Sequence, residues 1–503
     1  MTWCRSRELA PTVTNLTKSL FVTGCQCPRL LWWTVHEPLA EELQPDKVLL
    51  DRFDQGRLVG ELARERFPEG VLVSPQPRDR TAWCDATRSA LDAGAPIIFE
   101  AAFQAKGVFA AVDVLHKADD ATTLIEAKST TSVKDEHIAD AALQAWVLAQ
   151  TGMTAERVEI MHLNKDYRHP DQGDLFVRAD ITEQVHEFMP TVPARVEELT
   201  RVLEGELPDH PIGLHCHEPR GCPFLKRCWP NDPDHISTLY SNGPKKTVAY
   251  MAKGIHSIWG IPQGQKLPPA AQRQLRALRE NRLIVEPGLG RALEPFESPL
   301  GYLDFETVSR AVPVWAGLAP WGHATAQFSY HEEQQDGTYT HVGWLAEGPG
   351  DPRRELAEAM LEATKRARRI VMYSSFERTR INELAELLPD LAAPLAELAG
   401  KLVDLLPVVR DHVYHVEFRG SFSIKNVLNP LVPDLTYNDL VIVDGMVASV
   451  EIARLLFVAH KIPVEERDRL RQDLLAYCER DTWAMVRLLG RLRELAIDTS
   501  TRL

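Results

Sequence analysis

Apolar positions in the first half of the chain change between helical and strand spacing. Over residues 46–67 Leu49, Phe53, Leu58 and Leu62 recur at helical spacing, which predicts a helix. Short apolar runs follow, separated by Gly107 and by the polar turn 117–120, which predicts a strand meander. The two spacings together predict strands over 97–103, 108–115, 122–127 and 158–163, and helices over 135–150 and 182–203. We therefore expect an α/β domain over residues 1–235.

Prolines and glycines interrupt residues 236–297, where only 270–280 has a helical pattern. We interpret this segment as a connector or a small bridging domain. From Pro299 onward strands alternate with helices, and the chain becomes helical toward its end. The strands are predicted over 302–307, 326–330, 341–345 and 370–373. A second α/β domain is therefore expected over residues 298–503.

Composition narrows the class of protein. With 503 residues, 44% hydrophobic and 25% charged, the chain is ordinary globular material for two to four domains. No apolar run approaches the roughly 20 residues needed to span a bilayer, and the first residues lack the apolar core of a signal peptide. We expect a cytoplasmic protein with no membrane partner. The net charge of −14 argues against a surface that coats nucleic acid, but not against a nuclease, because bound metal reverses the local sign of an acidic site.

The strand Gly-Tyr-Leu-Asp-Phe-Glu carries two acids on one face. Asp304 and Glu306 are two residues apart, and side chains alternate between the faces of a strand, so both carboxylates can reach one cation. Mg²⁺ and Mn²⁺ prefer oxygen ligands, and a pair of such ions can clamp the attacking and leaving oxygens of a phosphodiester. Near the end of the chain, Tyr477 and Asp481 lie four residues apart and share a helix face.

This order of motifs resembles the DEDD exonucleases of the ribonuclease H-like fold, in the branch with a tyrosine four residues before the last aspartate. The resemblance implies a 3′→5′ exonuclease with Mg²⁺ or Mn²⁺ at its acids. The implied groups from the strand and the last helix are Asp304, Glu306, Tyr477 and Asp481. The phenol would orient the attacking water.

The resemblance also requires a third acid between the strand and the last helix. Glu377 follows a predicted strand and is the first candidate, while Asp404 is the rival, with a helix cap as its other interpretation. Lys425 is either a phosphate contact or a solvated lysine. His331, beside a predicted strand, is assigned no role.

Three acids and a lysine lie on apolar strands of the first domain. Glu126 and Lys128 are two apart and share a face, and Asp113 arrives from the neighbouring strand of the hairpin. Glu100 ends the run Ile-Ile-Phe-Glu on the strand before them. Such acids can hold a metal ion while the lysine positions or activates water, although a Glu–Lys pair is often only a surface ion pair.

This set resembles the RecB-like branch of the PD-(D/E)XK nucleases, a restriction-endonuclease-like fold whose pattern continues with Gln-x-x-x-Tyr on a helix. Gln144 lies on the next predicted helix, but position 148 is leucine, so the tyrosine is missing and Trp146 is the candidate for its packing role. Glu61 occupies the helix in which the family carries an early histidine. The resemblance implies Asp113 and Glu126 as metal ligands.

The eight cysteines are unevenly placed, with Cys216, Cys222 and Cys228 crowded together. In a reducing compartment such a group more often means metal or a cluster than disulfides. RecB-like nucleases of the AddB and CRISPR-adaptation types carry one cysteine before the core and three after it, holding a [4Fe–4S] cluster. The resemblance implies Cys27 as the first ligand, with Cys25 as its alternative. Four thiolates also suit structural Zn²⁺, and small buried thiols without a ligand are a third interpretation.

Together the two halves resemble a bacterial family of two-nuclease proteins. This resemblance implies a metal-dependent nuclease that hydrolyses phosphodiester bonds in nucleic acid, with DNA expected rather than RNA, in DNA repair or anti-phage defence. The alternative is a nucleic-acid-binding or scaffold protein in which one or both nuclease sites are inactive. The tyrosine missing at position 148 keeps this alternative open for the first domain.

Overall fold

Two mixed β-sheets organise the chain, one in each of two compact units, Met1–Trp229 and Pro230–Leu503. We call them unit 1 and unit 2. The structure is a computed structural model that describes residues 16–73, 79–118, 121–170 and 172–500. The α/β class expected from the sequence is confirmed. Among the helices of these residues, none is both long enough and apolar enough to cross a bilayer.

Within the described residues, unit 1 is built around a seven-stranded sheet. In chain order its elements are β1 Leu16–Thr17, α1 Lys18–Gln26, α2 Pro28–His36, α3 Lys47–Arg64, β2 Val71–Leu72, α4 Arg80–Asp92, β3 Ile97–Ala105, β4 Val108–Ala118, β5 Ala121–Lys128, α5 Asp135–Gln150, β6 Arg157–Leu163, β7 Phe176–Asp180, α6 Thr182–Phe188, α7 Val192–Glu204 and α8 Leu225–Cys228.

The strand order is β2-β3-β4-β5-β6-β7, with β1 pairing parallel to the start of β4. Strands β3, β4 and β5 form an antiparallel meander, and α5 then crosses over so that β6 runs parallel to β5. Helix α5 contacts the sheet and also α1, α6 and α7, and its residues 139–148 are all buried. A helix that is largely apolar on all sides is expected in such an interior position.

The helix predicted over 182–203 is interrupted. A 3₁₀ turn, Met189–Thr191, separates α6 from α7. Pro190 lies in this turn and Pro193 is the second residue of α7. Proline has no N–H for the i→i−4 ladder, so it suits the first turn of a helix better than the interior.

Unit 2 contains a five-stranded sheet and a small two-stranded one. In chain order its elements are α9 Pro244–Met251, α10 Pro269–Glu280, β8 Ile284–Val285, α11 Leu289–Ala292, β9 Gly301–Ser309, β10 His323–Glu333, β11 Tyr339–Leu345, α12 Arg353–Thr364, β12 Ile370–Met372, α13 Phe376–Leu387, α14 Ala392–Lys401, β13 Leu402–Asp404, α15 Leu406–His412, β14 Val413–Tyr414, α16 Ile424–Leu431, α17 Gly445–Phe457 and α18 Val464–Ser500.

The order of the larger sheet is β11-β10-β9-β12-β13, in which β10 runs antiparallel to both neighbours and β12 and β13 run parallel to β9. Leu303 and Phe305 of β9 pack against α12–α14. Tyr302 belongs to the hydrophobic cluster that includes α17 and α18. Because strand residues alternate between faces, the even-numbered Asp304 and Glu306 lie on the side of α17 and α18.

The segment 236–297, interpreted above as a connector, is packed into unit 2. Gln274 of α10 is fully buried, donates to the carbonyl of Thr238 at 2.6 Å and accepts from the N–H of Tyr240 at 2.8 Å. Arg273, also buried, donates to two carbonyls of α15, and β8 pairs with β14. These side chains satisfy backbone groups distant in sequence, which local spacing does not reveal.

Candidate functional site

Three carboxylates from distant parts of unit 2 converge beside the central strand. Asp304 and Glu306 come from β9, Asp481 comes from α18, and one oxygen from each lies within 4.8 Å of the others. Glu306 and Asp481 are buried, whereas Asp304 is partly exposed. The sequence predicted this convergence, which depends on α18 packing across β9 and β10.

Glu377 is the fourth acid near this group. It lies in the first turn of α13 and is buried, and among the described residues its Oε2 has no hydrogen-bond partner. Burial raises its pKa to about 7, and the charges of Asp404 and Asp481 act in the same direction. Asp404 binds the backbone instead, because its Oδ1 accepts hydrogen bonds from the N–H of Ser374 at 3.1 Å and from the N–H of Leu406, the first residue of α15, at 2.9 Å. Of the two candidates, Glu377 therefore has a buried oxygen without a hydrogen-bond partner, whereas Asp404 caps backbone N–H groups.

The electrostatics of this acid cluster favour a cation. Burial, followed by the charge of Asp481, raises the pKa of Asp304 and of Glu306 well above the ordinary values. Lys425 partly offsets this effect at Glu306. Buried like charges are unstable unless a proton or a cation neutralises them. An unpaired buried oxygen and an all-carboxylate donor set fit Mg²⁺ or Mn²⁺.

Two tyrosines and a lysine lie beside the acids. The Tyr437 hydroxyl donates to Oδ1 of Asp481 at 2.6 Å. Lys425 donates to the Tyr477 hydroxyl at 3.1 Å, and its ammonium lies 5.0 Å from the centroids of both tyrosine rings. The sequence singled out Tyr477 and considered Lys425, but it gave no signal for Tyr437, which belongs to none of the motifs.

Two small residues pack directly against the acids. The thiol of Cys478 donates to Oδ2 of Asp304 at 3.6 Å, and burial holds the pKa of this thiol well above its usual range. A methyl group at Gly445 would lie 3.4 Å from Oε2 of Glu306. The N-terminus of α17 thus approaches the cluster closely, and a larger side chain at position 445 would press on a carboxylate.

In unit 1 the structure brings the predicted strand residues together. Lys128 donates to Oε1 of Glu126 at 2.8 Å, and Gln144 donates to Oε2 of the same carboxylate at 2.9 Å. Asp113 accepts from the N–H of Ala127 at 2.9 Å, as expected for neighbouring strands. Burial and the charge of Glu126 raise the pKa of Asp113 to about 7, which the nearby ammonium groups partly oppose.

Two residues that the sequence did not single out as site residues complete this network. Lys18, placed by the pairing of β1 with β4, donates to Oε1 of Glu126 at 2.9 Å and lies 3.7 Å from Asp113. Asp140 pairs with Lys128 at 2.7 Å. Burial alone would raise the pKa of Glu126, but the charges of Lys128 and Lys18 outweigh burial and lower it. Unlike the acids of unit 2, Glu126 is already neutralised by the chain itself.

Glu100 lies at the open side of the unit 1 site. Its φ of 58° is in the left-handed region, which is uncommon for a residue other than glycine, and it interrupts the pairing of β3 with β4. Its carboxylate is 3.6 Å from Arg64, and it lines one groove with Asp113 and Glu61. Trp146 is buried on α5, where the sequence placed a packing residue.

The predicted cysteines line one cavity. Cys27, at the junction of α1 and α2, lies there with the later set Cys216, Cys222 and Cys228. Burial raises the pKa of Cys222 to about 11, although a backbone N–H of Phe224 opposes this effect. Cys25 instead packs against the main core of unit 1.

Two histidines not anticipated from the sequence adjoin the same cavity. His210 and His215 each place a ring nitrogen within 4.8 Å of the Cys27 sulfur and of each other. His215 also lies 3.6 Å from the sulfur of Cys216. The side chain of Gln26 donates to the carbonyl of His215 at 2.9 Å, which ties this loop to α1. The donors suit soft or borderline metals, as four thiolates or as a mixed thiolate–imidazole set.

Comparisons with known proteins cover part of this chain. A family model described as a domain of unknown function (DUF2779) matches residues 301–423, which include Asp304, Glu306 and Glu377 but end before α18. A solved structure named "Crystal structure of SSO0001" is similar at 15% identity with a TM-score of 0.24, covering 44% of this chain and 89% of that one. No curated protein matches the sequence.

Proposed function

We propose that this chain is a metal-dependent nuclease and that unit 2 is a ribonuclease H-like 3′→5′ exonuclease. The observation that carries the proposal is the buried acid cluster Asp304, Glu306, Glu377 and Asp481, whose negative charge exceeds what the nearby Lys425 neutralises. Bound Mg²⁺ or Mn²⁺ would supply charge stabilisation at the attacking and leaving oxygens of a phosphodiester.

The topology of unit 2 supports this class. Numbered from β9, the sheet has the order 3-2-1-4-5, with only the second strand antiparallel to the rest. This is the order expected of a ribonuclease H-like domain. The acids come from its first strand, from the helix after its fourth strand and from the last helix, which is the order that the resemblance implies.

The residues around the acids have distinct roles in the proposal. Tyr437 fixes the carboxylate of Asp481 through its 2.6 Å hydrogen bond. Burial and the charge of Asp481 raise the pKa of Tyr477, so its hydroxyl keeps its proton and can orient a water for attack. Lys425, held against both rings, supplies a positive charge beside the acids for an incoming phosphate.

For unit 1 we propose a RecB-like nuclease site of Glu100, Asp113, Glu126, Lys128 and Gln144. The β3–β4–β5 meander followed by α5 and a parallel β6 supports it, as does the groove beside Glu100 and Asp113. A specific observation favours the inactive alternative here. Lys18 and Lys128 both donate to Oε1 of Glu126. These hydrogen bonds would have to break before this oxygen could bind a metal ion.

The cysteine cavity is proposed to hold a [4Fe–4S] cluster through Cys27, Cys216, Cys222 and Cys228, with structural Zn²⁺ as the alternative. Either group would bind the start of unit 1 to its last loop, where Arg227 already pairs with Glu37 and Glu42. Iron, acid-labile sulfide and zinc measured in the purified protein, together with its visible absorbance, separate the two. His210 and His215 favour zinc if iron is absent.

The function is tested on 5′-labelled single-stranded DNA and RNA with Mn²⁺. We expect the wild type to shorten the substrate from its 3′ end, and Asp304→Asn to lose at least about 100-fold in rate. Asp468→Asn, an exposed acid on the same helix as Asp481, is the matched control and should keep full activity. If wild type and variants are equally inert while binding nucleic acid equally, the binding-protein alternative replaces this proposal. DNA repair or anti-phage defence is the proposed setting, by family resemblance.

A further inference from the structure

A second group of potential metal ligands includes Glu479 of α18, two residues before Asp481 in sequence. His331 of β10, His341 of β11 and Glu479 of α18 each place one ligand atom within 4.8 Å of the others. The imidazole centroids are 4.5 Å apart, and Nδ1 of His341 is 3.8 Å from Oε1 of Glu479. We propose that these three side chains form a binding site for a transition-metal ion of the Zn²⁺ class, separate from the carboxylate cluster.

The hydrogen bonds behind the histidines determine which ring nitrogens carry protons. The hydroxyl of Thr482 donates to the backbone carbonyl of Glu479 at 3.0 Å, which uses its only proton. Thr482 must then accept from Ser329, whose hydroxyl is 2.8 Å away, and from Nδ1 of His331, also 2.8 Å away. Ser329 has thereby used its own proton, so it accepts from Nε2 of His341 at 2.9 Å.

This chain of bonds leaves one lone pair on each imidazole. His331 is protonated at Nδ1 and keeps the lone pair of Nε2, while His341 is protonated at Nε2 and keeps the lone pair of Nδ1, which lies 3.8 Å from Glu479. Metal-binding histidines generally donate their other ring N–H to a fixed acceptor, which sets the tautomer and the ring orientation. Both histidines here have such an acceptor, Thr482 for His331 and Ser329 for His341, and these two hydroxyls are hydrogen-bonded to each other.

The donor set indicates the class of ion. Two imidazoles and one carboxylate suit Zn²⁺ and its first-row neighbours, whereas Mg²⁺ prefers oxygen alone. His331 is buried, and the side chains of His341 and Glu479 are 26% and 50% exposed, so the site opens to solvent on one side. Three protein ligands and an open position are the usual arrangement for an ion that also binds water or a further ligand.

An ion at this site would join both strands of the β10–β11 hairpin to α18. Glu479 and Thr482 lie on either side of Asp481 in sequence, so the ion would hold the helix segment that presents this carboxylate. We assign the site a positioning role. The binding proposal does not depend on the nuclease activity of unit 2.

The test is Zn²⁺ binding to the full chain by equilibrium dialysis and metal analysis. We expect His341→Gln to bind one equivalent fewer than wild type, and Glu479→Gln to bind that equivalent at least about tenfold more weakly. His460→Gln, a change at an exposed histidine of the same unit, is the matched control and should equal wild type. Any Zn²⁺ bound in the cysteine cavity should be the same in the wild type and in all three variants, so it cancels in the comparison.

A second measurement covers variants that fold poorly. With Co²⁺, the spectrum lost on going from wild type to Glu479→Gln should contain ligand-field bands without thiolate charge transfer, because the site contains no sulfur. Equal stoichiometry and affinity in all four proteins, or a difference spectrum with thiolate bands, would refute the proposal. Asp304→Asn should retain this ion. Failure of the nuclease proposal can therefore be distinguished from failure of this metal-site proposal.

Discussion

Asp304→Asn should stabilise unit 2 when no divalent ion is bound, although it removes a candidate ligand. Oxygens of Asp304, Glu306 and Asp481 lie within 4.8 Å of one another. At that distance and an effective dielectric constant of about 20, two ionised carboxylates repel by about 3.5 kcal/mol. Proton uptake by the raised-pKa acids relieves part of this repulsion, so we expect a net gain of about 1–3 kcal/mol.

The pH dependence has a definite sign. An acid whose pKa is raised in the folded state binds more protons in the folded than in the unfolded protein. Its contribution to the free energy of unfolding is fully present below the unfolded-state pKa and is lost as pH rises through the folded-state pKa. For Glu377, raised from 4.5 to about 7, the loss falls between those values. The metal-free wild type should therefore lose stability over this range, and Asp304→Asn should gain most at pH 8.

Calorimetry in metal-depleted buffer at pH 8 measures the effect. A gain of about 2 kcal/mol corresponds to a rise in Tm of roughly 4–8 °C for a unit of this size. Saturating Mn²⁺ should reverse the order, because only the wild type retains the full ligand set. Asp468→Asn should match wild type in both conditions. A Tm for metal-free Asp304→Asn at or below the wild-type value would refute this reasoning.

Three further outcomes are expected. Tyr437→Phe removes the 2.6 Å hydrogen bond to Asp481 and should lower the nuclease rate about tenfold without changing the affinity for nucleic acid. Single-turnover kinetics measure this rate, and an unchanged rate would contradict the positioning role of Tyr437. Lys18→Met leaves buried Glu126 with one ammonium fewer and should destabilise unit 1 by about 1–3 kcal/mol in urea unfolding, whereas Lys106→Met, at an exposed lysine, should not. Cys222→Ser should lose the bound iron or zinc in metal analysis and Cys25→Ser should keep it; equal metal content in both would exclude the assigned ligand.

Local spacing was enough for several of the central elements. The helix predicted over 135–150 has those bounds as α5, and the strands predicted over 97–103 and 158–163 differ from β3 and β6 by two residues or fewer at either end. Apolar periodicity records which face of an element is buried, so it survives without knowledge of the partner. The break between α6 and α7 was not predicted, although Pro190 and Pro193 mark it in the sequence. The packing of 236–297 depends on distant backbone partners, which local spacing does not show.

The candidate sites divide in the same way. The sequence by itself determined that Asp304 and Glu306 share one strand face, since strand alternation is a local property. The family resemblance, and no local spacing, added Asp481 to this group. Only the tertiary structure decided that Lys18 neutralises Glu126 and that His331 and His341 meet Glu479 of α18. These partners approach one another through strand pairing and helix packing over separations of 100 residues or more, which no local pattern encodes.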